Sequence, residues 1–407
     1  MSHVRCLVAL ATLASASVVA CAAGTAAEGD GGSPPTPTVE AGTPASATTD
    51  FQLRSDMRGA WLATVQWTHL YAISALASAP DEPQALDRLT QSEDAIGTEA
   101  SPLLGNAQSE DLSALLRARA ADARAFGRAR QSRDPATAAT AKAAWGQNTS
   151  DLAAFFARLG GAQSTASLAT ALRASETAMQ NVVTARADGD ARAEIAADDE
   201  AETQALAVGD AFTDELLAVS PSQVSPSTLT RQDQSLRLEL RPLLARGAFW
   251  LRVVAIEQLG GEAVQPALDE AVAVRVATSN VFARFYGKSV GGQIEFWMHS
   301  EIADAYAYML ATKSADPTAI DATRRIFVTD MGHFAKYLAS IDASWRPGDL
   351  DRLLQVGVDR TLAEYDARRA AEWDADAADY QMILDNSREL GDVLADGLAT
   401  AFPRRPH

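Results

Sequence analysis

The chain has 407 residues, a hydrophobic content of 47% and a formal net charge of −18 at pH 7. Such an acidic chain is repelled by nucleic acid, and we expect no nucleic-acid partner. Two cysteines are too few for a disulfide framework.

The first twenty residues have the pattern of a secretory signal peptide. Arg5 precedes an apolar run that is too short and too rich in alanine for a good membrane-spanning helix. The run ends in Val18-Val19-Ala20-Cys21, which resembles the lipobox of bacterial lipoproteins. The resemblance implies cleavage after residue 20 and a diacylglycerol on the thiol of Cys21. The alternative is an ordinary secretory signal that happens to contain a cysteine.

A lipid on Cys21 would anchor the protein to a membrane of the cell envelope. Cys6 leaves with the signal peptide, so Cys21 has no intramolecular disulfide partner. Buried acyl chains contribute about 0.8 kcal/mol per CH₂, which outweighs a repulsion of about 1 kcal/mol per acidic charge at the surface. Ala22 follows the cysteine, and in Gram-negative lipoproteins a residue other than Asp there implies the outer membrane. We expect the outer membrane or cell surface, with the folded body in the periplasm or outside.

Residues 21–50 are predicted to form a disordered tether. They consist mainly of Ala, Gly, Pro, Ser and Thr and show no hydrophobic periodicity, so they cannot bury a core. A flexible chain of this length reaches about 30 Å on average. The tether would therefore hold the body clear of the membrane.

The rest of the chain is predicted to be all-α. Apolar residues recur at helical spacing, as in Leu350, Leu353, Leu354 and Val358, and strictly alternating β-branched runs are absent. Asp-Pro dipeptides at 134–135 and 316–317 are typical of helix starts, with Asp as the N-cap and Pro at the first helical position.

The body is also predicted to be a tandem repeat, because it aligns with itself when Gly105 is placed on Gly287. At this displacement, which we call the repeat shift, Trp145 falls on Phe327 and both Asp-Pro dipeptides coincide. We predict two homologous helical bundles, at 51–219 and 233–407, joined by a Pro/Ser linker at 220–232. Each is expected to have four main helices plus shorter ones. In the second repeat the predicted helices lie near 233–259, 262–285, 289–313, 317–341, 348–371 and 375–401.

Both halves resemble a helical domain of unknown function that occurs singly and in tandem in bacteria and archaea. The resemblance implies a fold and no established activity. Members often have His in the third and fifth helices, where this chain has Arg119 or Glu301 and Ser175 or Gly357, so His-dependent chemistry is in doubt. The residues that carry the resemblance are Trp250-Leu-Arg252, Phe285-Tyr-Gly287, Trp145-Gly-Gln-Asn148 and Ala399-Thr-Ala-Phe402-Pro403.

Three local patterns suggest chemistry but favour structural interpretations. The G-x-S-x-G at 287–291 follows a helical pattern, not a strand, so we interpret it as a helix stop and a new start. The acidic run 188–202 lacks the spacing of a calcium loop and is interpreted as a solvated helix face. Glu295 with His299 and Asp330 with His333 have helix-face spacing but lack counterparts in the first half. We predict no metal, no cofactor and no catalytic residue.

One polar pattern recurs in both halves. His69 follows Trp67 as Arg252 follows Trp250, and Asn148 falls on Asp330 at the repeat shift. A buried Arg needs an acid partner, so we hypothesise that His69 faces Asn148 and Arg252 faces Asp330. The alternative is that these positions lie on opposite faces and never meet.

The preferred function is non-enzymatic: a binding or scaffolding module held off a membrane, its partner an envelope protein or a small ligand. The rival is a small-ligand or metal site in the second repeat, centred on Arg252, Asp330, Trp250, Phe327 and Tyr337. An enzyme ranks third. An internal polar pocket would favour the rival, whereas a closed core would favour binding on outer surfaces or between the repeats.

Overall fold

The all-α prediction is confirmed by a computed structural model, which describes residues 48–160 and 165–403. Twelve helices and no strand are found in that part of the chain. They are α1 (Asp50–Leu76), α2 (Glu82–Leu104), α3 (Asn106–Gln131), α4 (Pro135–Leu159), α5 (Thr165–Asp188), α6 (Ala191–Val219), α7 (Arg231–Gly260), α8 (Gln265–Tyr286), α9 (Lys288–Ser314), α10 (Pro317–Ile341), α11 (Pro347–Arg369) and α12 (Trp373–Ala401). The predicted signal peptide, Cys21 and all but the last three residues of the predicted tether lie outside the described residues.

Asp and Pro start equivalent helices in the two halves, as predicted. The Asp134 carboxylate accepts hydrogen bonds from the backbone N–H groups of Ala136 and Thr137, at 3.0 and 3.3 Å. Asp316 caps α10 through Thr318 and Ala319, at 2.9 and 3.3 Å. These bonds satisfy N–H groups that have no partner inside the helix.

The G-x-S-x-G segment is a helix stop and start, as predicted. α8 ends at Tyr286, Gly287 adopts φ 87°, and α9 begins at Lys288. Only glycine enters this backbone region without strain. A nucleophile elbow would need a strand before the turn, and α8 stands there instead.

Each half contains six helices, and the expectation of four main helices plus shorter ones is wrong. The described helices are 22 to 30 residues long. The starts of equivalent helices follow the repeat shift to within one residue, from Asp50 and Arg231 at the first pair to Ala191 and Trp373 at the sixth. The matched starts support the predicted repeat. The turn signals separate the helices without shortening them.

A charge reversal at equivalent positions supports the repeat further. In the first half the Glu93 carboxylate of α2 accepts from the Arg119 guanidinium of α3 at 2.7 Å, and both side chains are buried. In the second half Arg275 of α8 donates to Glu301 of α9 at 2.8 Å. At the repeat shift Glu93 falls on Arg275 and Arg119 falls on Glu301. Arg119 and Glu301, the equivalent residues of the two third helices, therefore both form ion pairs.

The first and sixth helices of each half approach closely at a glycine. A Cβ added to Gly209 of α6 would lie 2.7 Å from the Cα of Arg58, and one added to Gly391 of α12 would lie 3.2 Å from Arg241. Arg58 donates to Asp210 at 3.2 Å, and Arg241 makes a two-point contact with Asp392 at 2.6 Å for each bond. Both first helices are thus held against their sixth helices in the same way.

The first helices also lie at the centre of the whole body. Residues 64–75 of α1 are all buried, as are residues 249–255 of α7. A helix that is buried around its full circumference needs neighbours on every side. α1 and α7 find them partly in each other, because they pack together where the two repeats meet.

Candidate functional site

Aromatic side chains join the repeats where α1 meets α7. The imidazole ring of His69 lies 5.3 Å from the ring of Phe249 and 6.0 Å from that of Trp250, measured between centroids. The ring of Trp67 lies 5.4 Å from that of Tyr380, edge to face. Aromatic pairs in this geometry contribute about 0.5–1.5 kcal/mol beyond their area burial. The interface is therefore a packed continuation of both cores.

His69 is held at this interface between two carboxylates. Its Nδ1 lies 2.8 Å from Asp198 Oδ1 and its Nε2 lies 2.7 Å from Glu194 Oε1, and the side chain is fully buried. Both ring nitrogens must donate to satisfy two acceptors, which requires the imidazolium form. Burial alone would lower the pKa of His69, but Asp198 and Glu194 outweigh it and raise the pKa to about 9. His69 is therefore a buried cation at neutral pH.

Arg252 takes the equivalent place in the second repeat. Its guanidinium donates to Glu364 at 2.5 Å and to both oxygens of Asp376 at 2.9 and 2.8 Å. It also lies over the rings of Tyr380 and Trp67, at 4.7 and 5.5 Å. A cation over an aromatic face is attracted by the ring quadrupole. Because Trp67 belongs to the first repeat, Arg252 links the two halves.

Neither pair of the predicted polar network is formed. The acid partners of His69 and Arg252 come from α6, α11 and α12, because the sixth helix of each half packs along the first. Asn148 instead donates to the backbone carbonyl of Leu115 at 2.9 Å. Asp330 lies beside Asp304; burial and the neighbouring carboxylate of Asp330 raise the pKa of Asp304 to about 8.

The prediction of a solvated helix face at residues 188–202 is wrong for three acids of α6. Glu194, Asp198 and Glu202 are all buried. Their spacing of four places them on one helical stripe, which turns inward toward His69. The sequence held one signal for this: at the repeat shift, Glu194 falls on Asp376, an acid in both sixth helices.

The residues of the predicted rival site are dispersed. Arg252 and Trp250 lie at the repeat interface, whereas Phe327 lines an internal cavity of the second repeat. That cavity has a volume of about 60 Å³ and mostly apolar walls. A water molecule occupies about 30 Å³ in the liquid, so the cavity has room for little more than solvent.

A larger cavity lies between the repeats, and we call it the inter-repeat groove. Its volume is about 390 Å³, within the range of about 300–1,000 Å³ that is usual for small-molecule sites. α1 and α2 form one wall and α7 and α12 the other, with one leucine from α6. Apolar contacts are offered by Leu62, Ala63, Ala95, Leu206, Leu238, Pro242 and Leu384.

The groove has more cationic than anionic side chains in its lining, although the protein is acidic. It is lined by five arginines and three carboxylates: Arg58, Arg88, Arg237, Arg241 and Arg388, with Asp56, Glu99 and Asp385. Most of the arginines are held by acids. Arg388 of α12, for example, donates to Asp56 of α1 at 2.6 Å and so joins the two walls. Arg88 donates only to the side-chain carbonyl of Gln91, at 3.1 Å, and has no ion-pair partner among the described residues.

Two classes of site find no support in the described part of the chain. No group of three or more His, Cys, Asp or Glu side chains there is arranged to hold a metal ion. None of its helices is both long and apolar enough to cross a membrane. The inter-repeat groove thus remains the strongest candidate site.

Comparison with known proteins adds no relative. A scan against protein-family models found no match, and searches of curated proteins and of solved structures found none. The resemblance to the tandem helical domain therefore stays a prediction. Any function must rest on the geometry of the groove and on the sequence.

Proposed function

We propose that the protein is a lipid-anchored lipoprotein of the cell envelope whose body binds a small ligand in the inter-repeat groove. The single observation that supports this most is the groove itself, at about 390 Å³ with charged and apolar walls. Small-molecule sites combine apolar walls with polar groups that fix the orientation of the ligand, and the groove has both. The internal cavity of the second repeat, at about 60 Å³, is too small for such a role.

The arginines of the groove walls are suited to binding an anion. Among the described residues that line it there is no histidine or cysteine, and its cations are arginines. A guanidinium stays protonated at all ordinary pH values, so it can hold an anion but cannot act as a general base. The groove is thus suited to binding, and we propose no reaction for it.

The anchor rests on the lipobox-like segment that ends in Cys21. Cells that express the protein are grown with a radiolabelled fatty acid, and we expect label in the wild type and in Cys6→Ser. Cys21→Ser should carry no label and should leave the membrane fraction. Label retained in Cys21→Ser would contradict the proposed anchor.

The binding site is tested by filling the groove. The Cys21→Ser protein is screened by thermal shift against small metabolites, since a ligand of the folded state raises the melting temperature. Ala95 is exposed on the groove wall, so Ala95→Trp should block the groove without disturbing the core. Ala121, exposed on α3, gives the matched control Ala121→Trp. Shifts that survive Ala95→Trp, or are equally lost in Ala121→Trp, would place the ligand elsewhere.

A further inference from the structure

We infer that the inter-repeat groove binds a single-chain amphiphile with a carboxylate head, and that Arg88 holds the head. The inference rests on the proposed function, because it names the ligand class of the same groove. It draws on three features of the groove: a cation without an acid partner among the described residues, the distribution of charge along the walls, and a continuous apolar surface.

Arg88 is the first feature. Its guanidinium has five N–H donors, and among the described residues only the Gln91 side chain receives one of them. A carboxylate fits the planar guanidinium through two parallel hydrogen bonds. The side chain is half-buried at the groove wall, so a carboxylate there would be partly shielded from water.

The two acids of the first-repeat wall, Asp56 and Glu99, lie away from Arg88, which is the second feature. Arg388 donates to Asp56 at 2.6 Å. Burial and the neighbouring Asp56 raise the pKa of Glu99, and Arg388 lowers it. Arg88 lies three turns of α2 before Glu99. Asp56 and Glu99 repel a carboxylate at their end, whereas Arg88 shares its part of the α2 wall with Ser92 and with Gln91, whose amide also donates to Asp87 at 2.6 Å. The other four arginines of the walls donate to carboxylates, so an anionic head is favoured at Arg88.

Apolar side chains occupy the space between the two ends. Ala63 and Ala95 belong to the first repeat, and Leu238, Pro242 and Leu384 belong to the second. A hydrocarbon chain placed on this surface loses contact with water, which is favourable at about 25 cal/mol per Å². The polar groups cannot bind such a chain, and the apolar surface cannot hold an isolated small anion.

A second groove beside this one lacks this combination. It is more open, with a volume of about 850 Å³. It shares Arg58, Leu206, Leu238 and Pro242 with the inter-repeat groove and is also lined by Arg246. At the repeat shift Arg88 falls on Glu270, whose carboxylate lies 3.7 Å from Arg246. Arg88, which has no acid partner among the described residues, thus has an acid at the equivalent position of the second repeat.

The test measures dodecanoate binding to the Cys21→Ser protein by isothermal titration calorimetry below the micellar concentration. Dodecanol has the same chain without the charge, and acetate has the charge without the chain. We expect dodecanol and Arg88→Gln each to weaken binding about tenfold, or about 1.4 kcal/mol, and acetate not to bind. Arg173→Gln is the matched control, because Arg173 is exposed on α5 away from the groove. It should bind dodecanoate as the wild type does.

Two outcomes would overturn the inference alone. If dodecanol binds wild type as tightly as dodecanoate, the carboxylate has no role, whatever the fold of Arg88→Gln. If dodecanoate fails to bind while another compound gives a shift that Ala95→Trp abolishes, the ligand class is wrong and the groove stands. If no compound gives a shift that depends on Ala95→Trp, the proposed function itself fails.

Discussion

His69 should titrate far above an ordinary histidine, and the stability of the protein should follow. Its pKa is about 9 in the folded chain against 6.5 as the reference value, because Asp198 and Glu194 favour the imidazolium despite full burial. Since each pKa unit corresponds to about 1.36 kcal/mol, the protonated ring stabilises the folded state by about 3 kcal/mol.

The sign of the pH dependence follows from linkage. A group whose pKa is raised on folding contributes its full stability below the unfolded value, here about pH 6.5. The contribution is lost as the pH rises through the folded value of about 9. Burial also raises the pKa of Glu202, to about 8, and of Glu257, to about 7, and these carboxyls act in the same direction. The free energy of unfolding should therefore fall between pH 7 and pH 10.

Two measurements check this. Proton–nitrogen NMR follows the imidazole signals with pH, and the signal that disappears in His69→Gln identifies His69. Urea unfolding at pH 7, 8, 9 and 10 gives the free energy of unfolding at each pH. An imidazole that titrates near 6.5, or a stability that stays level or rises over this range, would show that His69 is not a buried cation.

Two further predictions concern packing and charge in the repeats. Trp345 packs against Gly397, where an added Cβ would overlap the indole ring, so Gly397→Ala should lower the free energy of unfolding by about 1–3 kcal/mol. Gly292→Ala is the control, because its Cβ would meet nothing within 4 Å; urea unfolding should show it as stable as the wild type or more so, and equal losses would refute the packing argument. Glu93→Arg and Arg119→Glu should each cost about 3–5 kcal/mol by leaving like charges buried together. The double variant recreates the order of Arg275 and Glu301 and should recover most of that loss in the same assay, whereas additive losses would contradict the charge exchange.

The fold was largely predictable because its signals are local. Helical periodicity and the Asp-Pro caps at 134 and 316 depend on residues within a few positions of each other. The site was not predictable in the same way. Arg252 requires an acid, but the choice among Asp330, Glu364 and Asp376 depends on which helix packs along α7, and these residues are far apart in sequence. Pairing by repeat position alone selected the wrong helix.

The acidic composition hides the features that matter most. In a chain with net charge −18, an excess of carboxylates is expected to lie on the surface. Glu194 and Asp198 are buried nonetheless, because His69 between them offsets the cost of removing charge from water. In an acidic run of this kind, acids spaced four residues apart lie on one face of the helix, and that face can turn inward.

The two halves share the contacts that hold the helices and differ where a ligand could bind. Arg58 with Asp210 and Arg241 with Asp392 fix α1 and α7 in the same way. Such pairs constrain both copies, since a change in one would leave a partner uncompensated. Arg88 has no acid partner among the described residues, and its equivalent is Glu270. A substitution at Arg88 would break no ion pair of the described residues, so this is a position where one groove could acquire specificity that the other lacks.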